Sequence, residues 1–492
     1  MRRPAALLFV LALTLLPTRI LQAQESAATP AQQPAAAGQS SVPPPPQQPA
    51  PASSPNAAPA PAPAAATPAP KPAPPPTPHV PGTISKTDRE RALGILDSTM
   101  KGIQENYFDP NLKGVDWEGA RAKAKLKIEE SNSLNAALAQ VAAAVSSLND
   151  AHKRFYPPYK PFKLDYGLQY KTVWSRCFVT RVEPGSDAAA KNVRQGAEIL
   201  TLDGVKPTRQ NLFDIDYLIR TLDPREEMTL ELQYSSGEKE NVTVKAKVIQ
   251  QSALSARFGG NQWNEMRRQN DNDRHRLRMQ VVRKGDIAIV KFPEFRYDVA
   301  DLQDMQKKIV NASTTIFDLR EDPGGYVDTM KWFVGMFFDN DIKVFDEVKR
   351  KKTTPTLAKT EHYMNYPGKV IVLVDSGSAS ASEIFARVMQ LEKRGTVIGD
   401  LSSGYVMESE WFPFFSSGVD YGANITIANL IMTDGKSIEH HGVKPDDIQF
   451  PQPTDLETGR DPVLAHAVEV AGGTMTPEEA GKLFTYEWPP PE

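Results

Sequence analysis

A chain of 492 residues with 24% charged residues and a formal net charge of -3 has room for two to four domains and the charge balance of an ordinary soluble protein. That balance gives no basis for a nucleic-acid or membrane-surface partner. The single cysteine, Cys177, excludes an internal disulfide framework and a cysteine-built zinc site, and is expected to pack in a strand.

Residues 1–23 carry Arg2 and Arg3, an apolar stretch from Ala5 to Leu16 and small or polar residues at Leu21-Gln22-Ala23, the layout of a secretory signal. The expectation is an exported, periplasmic or secreted protein. An uncleaved anchor is the competing reading, against which the apolar run is short for a membrane span of ~20 residues. Residues 24–85 are Ala, Pro, Gln and Ser with almost no large apolar side chains, so they read as a disordered linker or stalk.

Residues 86–160 read as an N-terminal helical segment. Thr87-Asp88 precede an amphipathic run through Ala92, Leu93, Leu96, Met100 and Ile103, and two more helices are expected around 117–130 and 134–148. The segment then breaks into a loop holding His152, a position that by itself suits a surface histidine. Residues 161–250 read as a small β-rich module in which Tyr166-Gly167-Leu168 precede short strands, 214–220 form a helix and 228–234 a later strand. Residues 251–281 are charged and aperiodic, a connector or lid.

Residues 282–452 alternate apolar strands with helices: a strand at 286–292, a helix at about 300–309, a strand at 314–319 leading into Arg320-Glu-Asp-Pro-Gly-Gly325, and a further helix. This pattern predicts an α/β core of βαβ units. Two adjacent glycines let the main chain approach a ligand closely, although Pro-Gly-Gly is also simply a good turn. The strand 370–374 then runs into a small-residue turn and a helix, and Ser380 with Glu383 three residues on fits a capping box. Free N–H groups and the positive dipole end of that helix would suit an oxyanion, but Ser376, Ser378, Ser380 and Ser382 are all eligible as caps. A helical tail, 453–492, is expected to close the core.

The stretch Val-Asp-Ser-Gly-Ser-Ala-Ser-Ala-Ser-Glu-Ile (374–384) resembles the nucleophile motif of the S41 serine peptidases, which include C-terminal processing (tail-specific) and tricorn-like proteases. The resemblance covers about 86–470 and implies an α/β fold of the ClpP/crotonase-like βαβ superhelix type with an N-terminal helical segment and an inserted PDZ domain. It makes Ser380 the nucleophile, and places in the oxyanion hole the backbone of Gly324 or Gly325, from a segment similar to L-D-L-R-x-N-P-G-G, together with Ala381. Leu148-Asn-Asp-Ala-His152 lines up with the L-x-D-x-H of the tricorn-like branch, making His152 the general base, and the segment 435–448 offers Glu439 to complete the relay. The sequence departs from the family at two places. Tyr405 stands where processing peptidases carry a base lysine, and Ala151 where the tricorn relay has a serine. His440 and His441 are the alternative bases. Residues 178–207 are similar to the PDZ pattern, which implies a peptide groove with Tyr166, Gly167 and Leu168 as its terminal-carboxylate loop. The implied function is an exported serine endopeptidase acting on protein or peptide substrates without metal or organic cofactor. The alternative is a catalytically silent PDZ-bearing scaffold.

Overall fold

The computed structural model describes residues 84–250, 279–360, 365–416, 418–486 and 488. The segments expected as signal and linker, up to residue 83, and the expected connector from 251 to 278 lie outside these. Among the described residues no helix is long and apolar enough to cross a membrane.

The centre is a six-stranded sheet. Strands Ile287–Lys291, Thr314–Asp318, Lys369–Val374, Gly395–Gly399 and Asp447–Ile448 run parallel, and Gln280–Lys284 closes one edge antiparallel. The central strands are mostly apolar, with Ile287–Val290 and Val370–Val374 continuous apolar runs, because both faces are covered, as parallel sheets require. Ala288, Val290, Phe317, Val370, Val372 and Val374 face a core shared with helices Val299–Ile309, Val327–Gly335 and Ala381–Leu391. Ile287, Ile289, Ile316, Ile371, Leu373 and Ile398 face the helix Pro462–Val470, so the tail does close the second face.

The helices Lys86–Asn106, Trp117–Glu130 and Leu134–Ser146 pack on a long hairpin, Met407–Ser416 with Val419–Met432, that sequence periodicity did not reveal. Gly102 sits inside the first helix, where glycine costs about 1 kcal/mol relative to alanine. A Cβ there would lie 2.4 Å from the Phe414 ring, so the glycine is what admits the hairpin. The short strand Arg154–Tyr156 then joins the hairpin, pairing Arg154 with Asn424 and Tyr156 with Gly422. The loop bearing His152 is thereby stretched between the helices and the hairpin's sheet.

The module between them is a five-stranded antiparallel sheet in the order 168–173, 176–182, 198–202, 227–233, 239–245, with the helix Leu212–Tyr217 and a π turn, Leu218–Leu222, alongside. Its entry and exit strands, Phe162–Asp165 and Lys247–Gln250, pair with each other, which is how an inserted unit leaves and rejoins its host. Cys177 lies buried in its second strand, its thiol pushed up to about 12 by burial.

Candidate active site

The turn after Lys369–Val374 separates the four serines by what their hydroxyls do. Ser378 donates to the Leu319 carbonyl at 2.8 Å and accepts from the Asp375 N–H at 2.9 Å. Ser382 donates to the Asp322 carbonyl at 3.1 Å, and Ser376 to that of Thr172. Ser380 alone of the four donates its hydroxyl to no acceptor among the described residues, and it lines a cavity of about 850 Å³. Its backbone is also unusual, with φ 56° and ψ -117°. That conformation is costly for any residue with a Cβ and is kept only where surrounding structure enforces it.

The enforcement is visible. The Ser380 N–H donates to the Tyr405 carbonyl at 2.9 Å and to the Glu383 carboxylate at 3.0 Å, the latter as half of the capping box. Glu383 is fully buried and also receives the Ser402 hydroxyl and the N–H groups of Gly404 and Tyr405. Burial pushes its carboxyl up to about 7, against the downward pull of these donors. Opposite, Gly324 (φ 90°) lies so close that a Cβ would come within 2.8 Å of the Ser380 Cβ. Neither a side chain nor a right-handed backbone would fit there.

The two candidate oxyanion glycines differ. The Gly324 N–H is taken by Asp322 Oδ1 at 2.7 Å, so it is not an open donor. No acceptor for the N–H of Gly325 or of Ala381, the first residue of the helix, occurs among the described residues. These two remain as donors, and helix N-termini carry such unpaired N–H groups together with positive potential. Asp322 stands where the resembling motif has asparagine. It is fully buried, its Oδ2 has no partner among the described residues, and burial raises its carboxyl well above the usual range.

His152 reaches the same cavity as Ser380. Its loop is fixed by Asp150, whose carboxylate accepts the His152 N–H at 2.8 Å, the Tyr107 hydroxyl at 2.8 Å and the Thr426 hydroxyl at 2.9 Å. Aspartate two residues before the amide it accepts is an Asx turn, a signal present in the sequence but not exploited there. Glu439 accepts the N–H of Ala151 at 2.8 Å and of Val406 at 2.8 Å. It therefore holds the main chain on either side of the imidazole rather than bonding to the ring. The ring's Nδ1 accepts from the Met407 N–H at 3.3 Å. Burial pulls the His152 imidazole below its ordinary value, against the upward pull of the Glu439 and Asp150 carboxylates.

Residues 405–407 thus tie all three candidates together: the Tyr405 carbonyl to Ser380, the Val406 N–H to Glu439 and the Met407 N–H to His152. Burial pushes the Tyr405 hydroxyl up to about 12, further from the range of a base at neutral pH, and its ring packs against Phe213 at 5.8 Å. Neither His440, bonded to the Asn149 carbonyl, nor His441, bonded to that of Glu439, lines the Ser380 cavity.

The cavity continues along the edge strand 168–173 and the helix 212–217 of the inserted module. Tyr166, Gly167 and Leu168, the residues expected as the carboxylate loop, lie at and just before the start of that strand. Only Leu168 of the three lines the cavity. Tyr166 is buried with its hydroxyl on the Arg225 carbonyl, and the Gly167 N–H is spent on Asp165 at 2.9 Å. A buried tyrosine satisfies its hydroxyl internally, and an aspartate two residues before the glycine takes the amide first. The module is pinned to the site by Lys171, which meets Glu321 and Asp375 at 2.7 Å each, and by Arg181 on Glu321 at 3.0 Å. Arg209 adds Asp400 at 2.7 Å.

The sequence profile described as "Peptidase family S41" matches residues 286–448, the span containing Gly324, Gly325, Ser380 and Glu439. The chain is 30% identical over 197 residues to the tail-specific protease of Haemophilus influenzae, covering 38% of this chain and 28% of that one. Over 165 residues it is 28% identical to the carboxy-terminal processing protease CtpA of Bacillus subtilis, covering 33% and 34%. The chain thus spans less than half the length of these relatives. Among solved structures, mature CPAF shares the fold at a TM-score of 0.58 with 14% identity, over 75% of this chain and 94% of that one. His152 lies outside the matched span, brought to it by the pairing of 154–156 with the hairpin.

Proposed function

We propose that this chain is an exported serine endopeptidase in which Ser380 is the nucleophile and His152 the general base, with the inserted module acting as a PDZ-type peptide groove. The observation that carries the reading is the strained Ser380 backbone at a strand-to-helix turn, with a hydroxyl that donates to no acceptor among the described residues, the arrangement that exposes a nucleophile above a parallel sheet. The Ser380 Oγ attacks the scissile carbonyl carbon while its proton passes to His152, and the carbonyl oxygen, now an oxyanion, takes hydrogen bonds from Ala381 and Gly325. The amine leaves with the proton from His152. Water then hydrolyses the acyl-serine by the same proton path. Glu439 is a positioning residue in this scheme, since it grips backbone on both sides of the imidazole.

One observation favours the silent-scaffold alternative. An N–H donor at His152 Nδ1 requires a lone pair there, which puts the neutral ring's proton on Nε2. Accepting the serine proton at Nε2 needs the other tautomer and loss of a contact that, at 3.3 Å, is already long. Labelling with a fluorophosphonate separates the two readings. A peptidase is labelled on Ser380, Ser380→Ala abolishes the label, and unfolded casein is cleaved by the wild-type chain only. Absence of label from both the folded full-length chain and the folded chain shortened after Phe484 would establish the scaffold.

A further inference from the structure

The chain's own tail enters the cavity proposed for substrate. Leu483 and Phe484 pack against the apolar face formed by the central sheet and the helix 462–470, which anchors the stretch that follows. Two residues on, the Tyr486 hydroxyl receives the Gln169 Nε2 donor at 2.7 Å, and the Arg181 guanidinium lies 4.5 Å from the Tyr486 ring centre. Trp488 meets Tyr486 edge-on at 5.2 Å and 83°. Both aromatics line the cavity that Ser380 and His152 also line.

The strand they approach is an edge. Among the described residues, 168–173 pair only with 176–182, and a bound peptide adds to such an edge by main-chain hydrogen bonds. Gln169 is the hinge of the arrangement, because its Oε1 accepts from Arg181 at 2.8 Å while its amide nitrogen serves Tyr486. Arg181 in turn holds Glu321, beside the Pro323-Gly324-Gly325 loop. An aromatic pair bound here occupies groove surface and is coupled to the loop that faces Ser380.

We infer that Tyr486 and Trp488 are built-in occupants of the groove, autoinhibitory side chains that a substrate polypeptide must displace. This rests on the peptidase reading only in naming what is inhibited, because occupation of the groove can be measured without turnover. One hydrogen bond and one cation–π contact together correspond to about a fivefold or greater effect on a competing ligand.

The probe is a fluorescein-labelled peptide of residues 485–492. It should bind saturably to the chain shortened after Phe484, at least about fivefold more weakly to the full-length chain, and be displaced by unfolded casein. Gln169→Ala in the shortened chain should weaken it, with an unchanged thermal midpoint showing that the fold is kept. Equal binding to both chains, or no saturable binding to the shortened one, overturns the inference. Fluorophosphonate labelling of the same preparations reports separately on Ser380, so a failed peptidase reading leaves the peptide result intact.

Discussion

Ser380 shows how much chemistry hangs on what one hydroxyl does not do. Its neighbours Ser376, Ser378 and Ser382 all donate to main-chain carbonyls, and Ser378→Ala should therefore destabilise by about 1–3 kcal/mol through the unpaired groups it leaves. His152 carries the pH dependence. Its base form is neutral, so kcat/KM should rise with pH, and because burial lowers the imidazole, the midpoint of that rise should fall below the ordinary value of about 6.5. His152→Gln should remove the limb and cost about 10² or more in rate; a limb that survives unchanged rejects the assignment. Asp322 is the third case. Its carboxyl is raised by burial, so its stabilising contribution is complete below the unfolded value of about 3.9 and is lost as pH rises toward the folded one. Asp322→Asn, which keeps the shape without that cost, should raise the thermal midpoint at pH 7–8 and leave it unchanged near pH 3.5. An equal shift at both values would show that protonation is irrelevant there.

At the scale of elements, the three-residue run 405–407 does what no single side chain does. Its backbone meets the nucleophile, the base and Glu439 in succession, so small shifts of the hairpin entry move all three. Glu439→Gln offers one acceptor and an NH₂ group to two N–H donors, leaving one of them opposed. The expected result is a fall in kcat of about tenfold or more with KM little changed, since the loop of His152 is loosened rather than the groove. Retention of full kcat would mean that Asp150 fixes the histidine by itself. The strand, turn and helix around Ser380 were legible in sequence because each obeys a local rule: an apolar run, small residues, a capping box. The hairpin was not, since its apolar positions pack on helices more than 250 residues earlier and follow that surface rather than a clean alternation.

For the whole molecule, the site is a junction of segments held by buried charge. Arg320 joins Asp318 at 2.8 Å to Asp461, the cap of the helix 462–470, at 2.7 Å, immediately before the glycine loop. Asp318 is held well below the usual carboxylate range: burial alone would raise it, but Arg320 and Lys291 more than offset that. Its contribution is therefore present above the unfolded value of about 3.9 and lost as pH falls below it. Arg320→Met should cost about 3–5 kcal/mol, because it strands a buried carboxylate with Lys291 alone. Chemical denaturation at pH 7 and at pH 3.5 checks both claims, since the penalty should shrink at the lower pH. A penalty equal at both would assign the loss to packing of the Arg320 stem.

Sequence by itself determined the alternating α/β core, the helical segments at both ends of the folded region, the inserted β-rich module and the candidate nucleophile. These are recorded in periodicity, caps and short contiguous motifs. Tertiary structure alone decided which serine hydroxyl donates to no described acceptor, which glycine N–H is open, that Glu439 grips backbone rather than imidazole, and that Tyr486 lies on Gln169. Each of those facts is a pairing between groups far apart in the chain, and a hydrogen bond is assigned only when every competing donor and acceptor has a position in space.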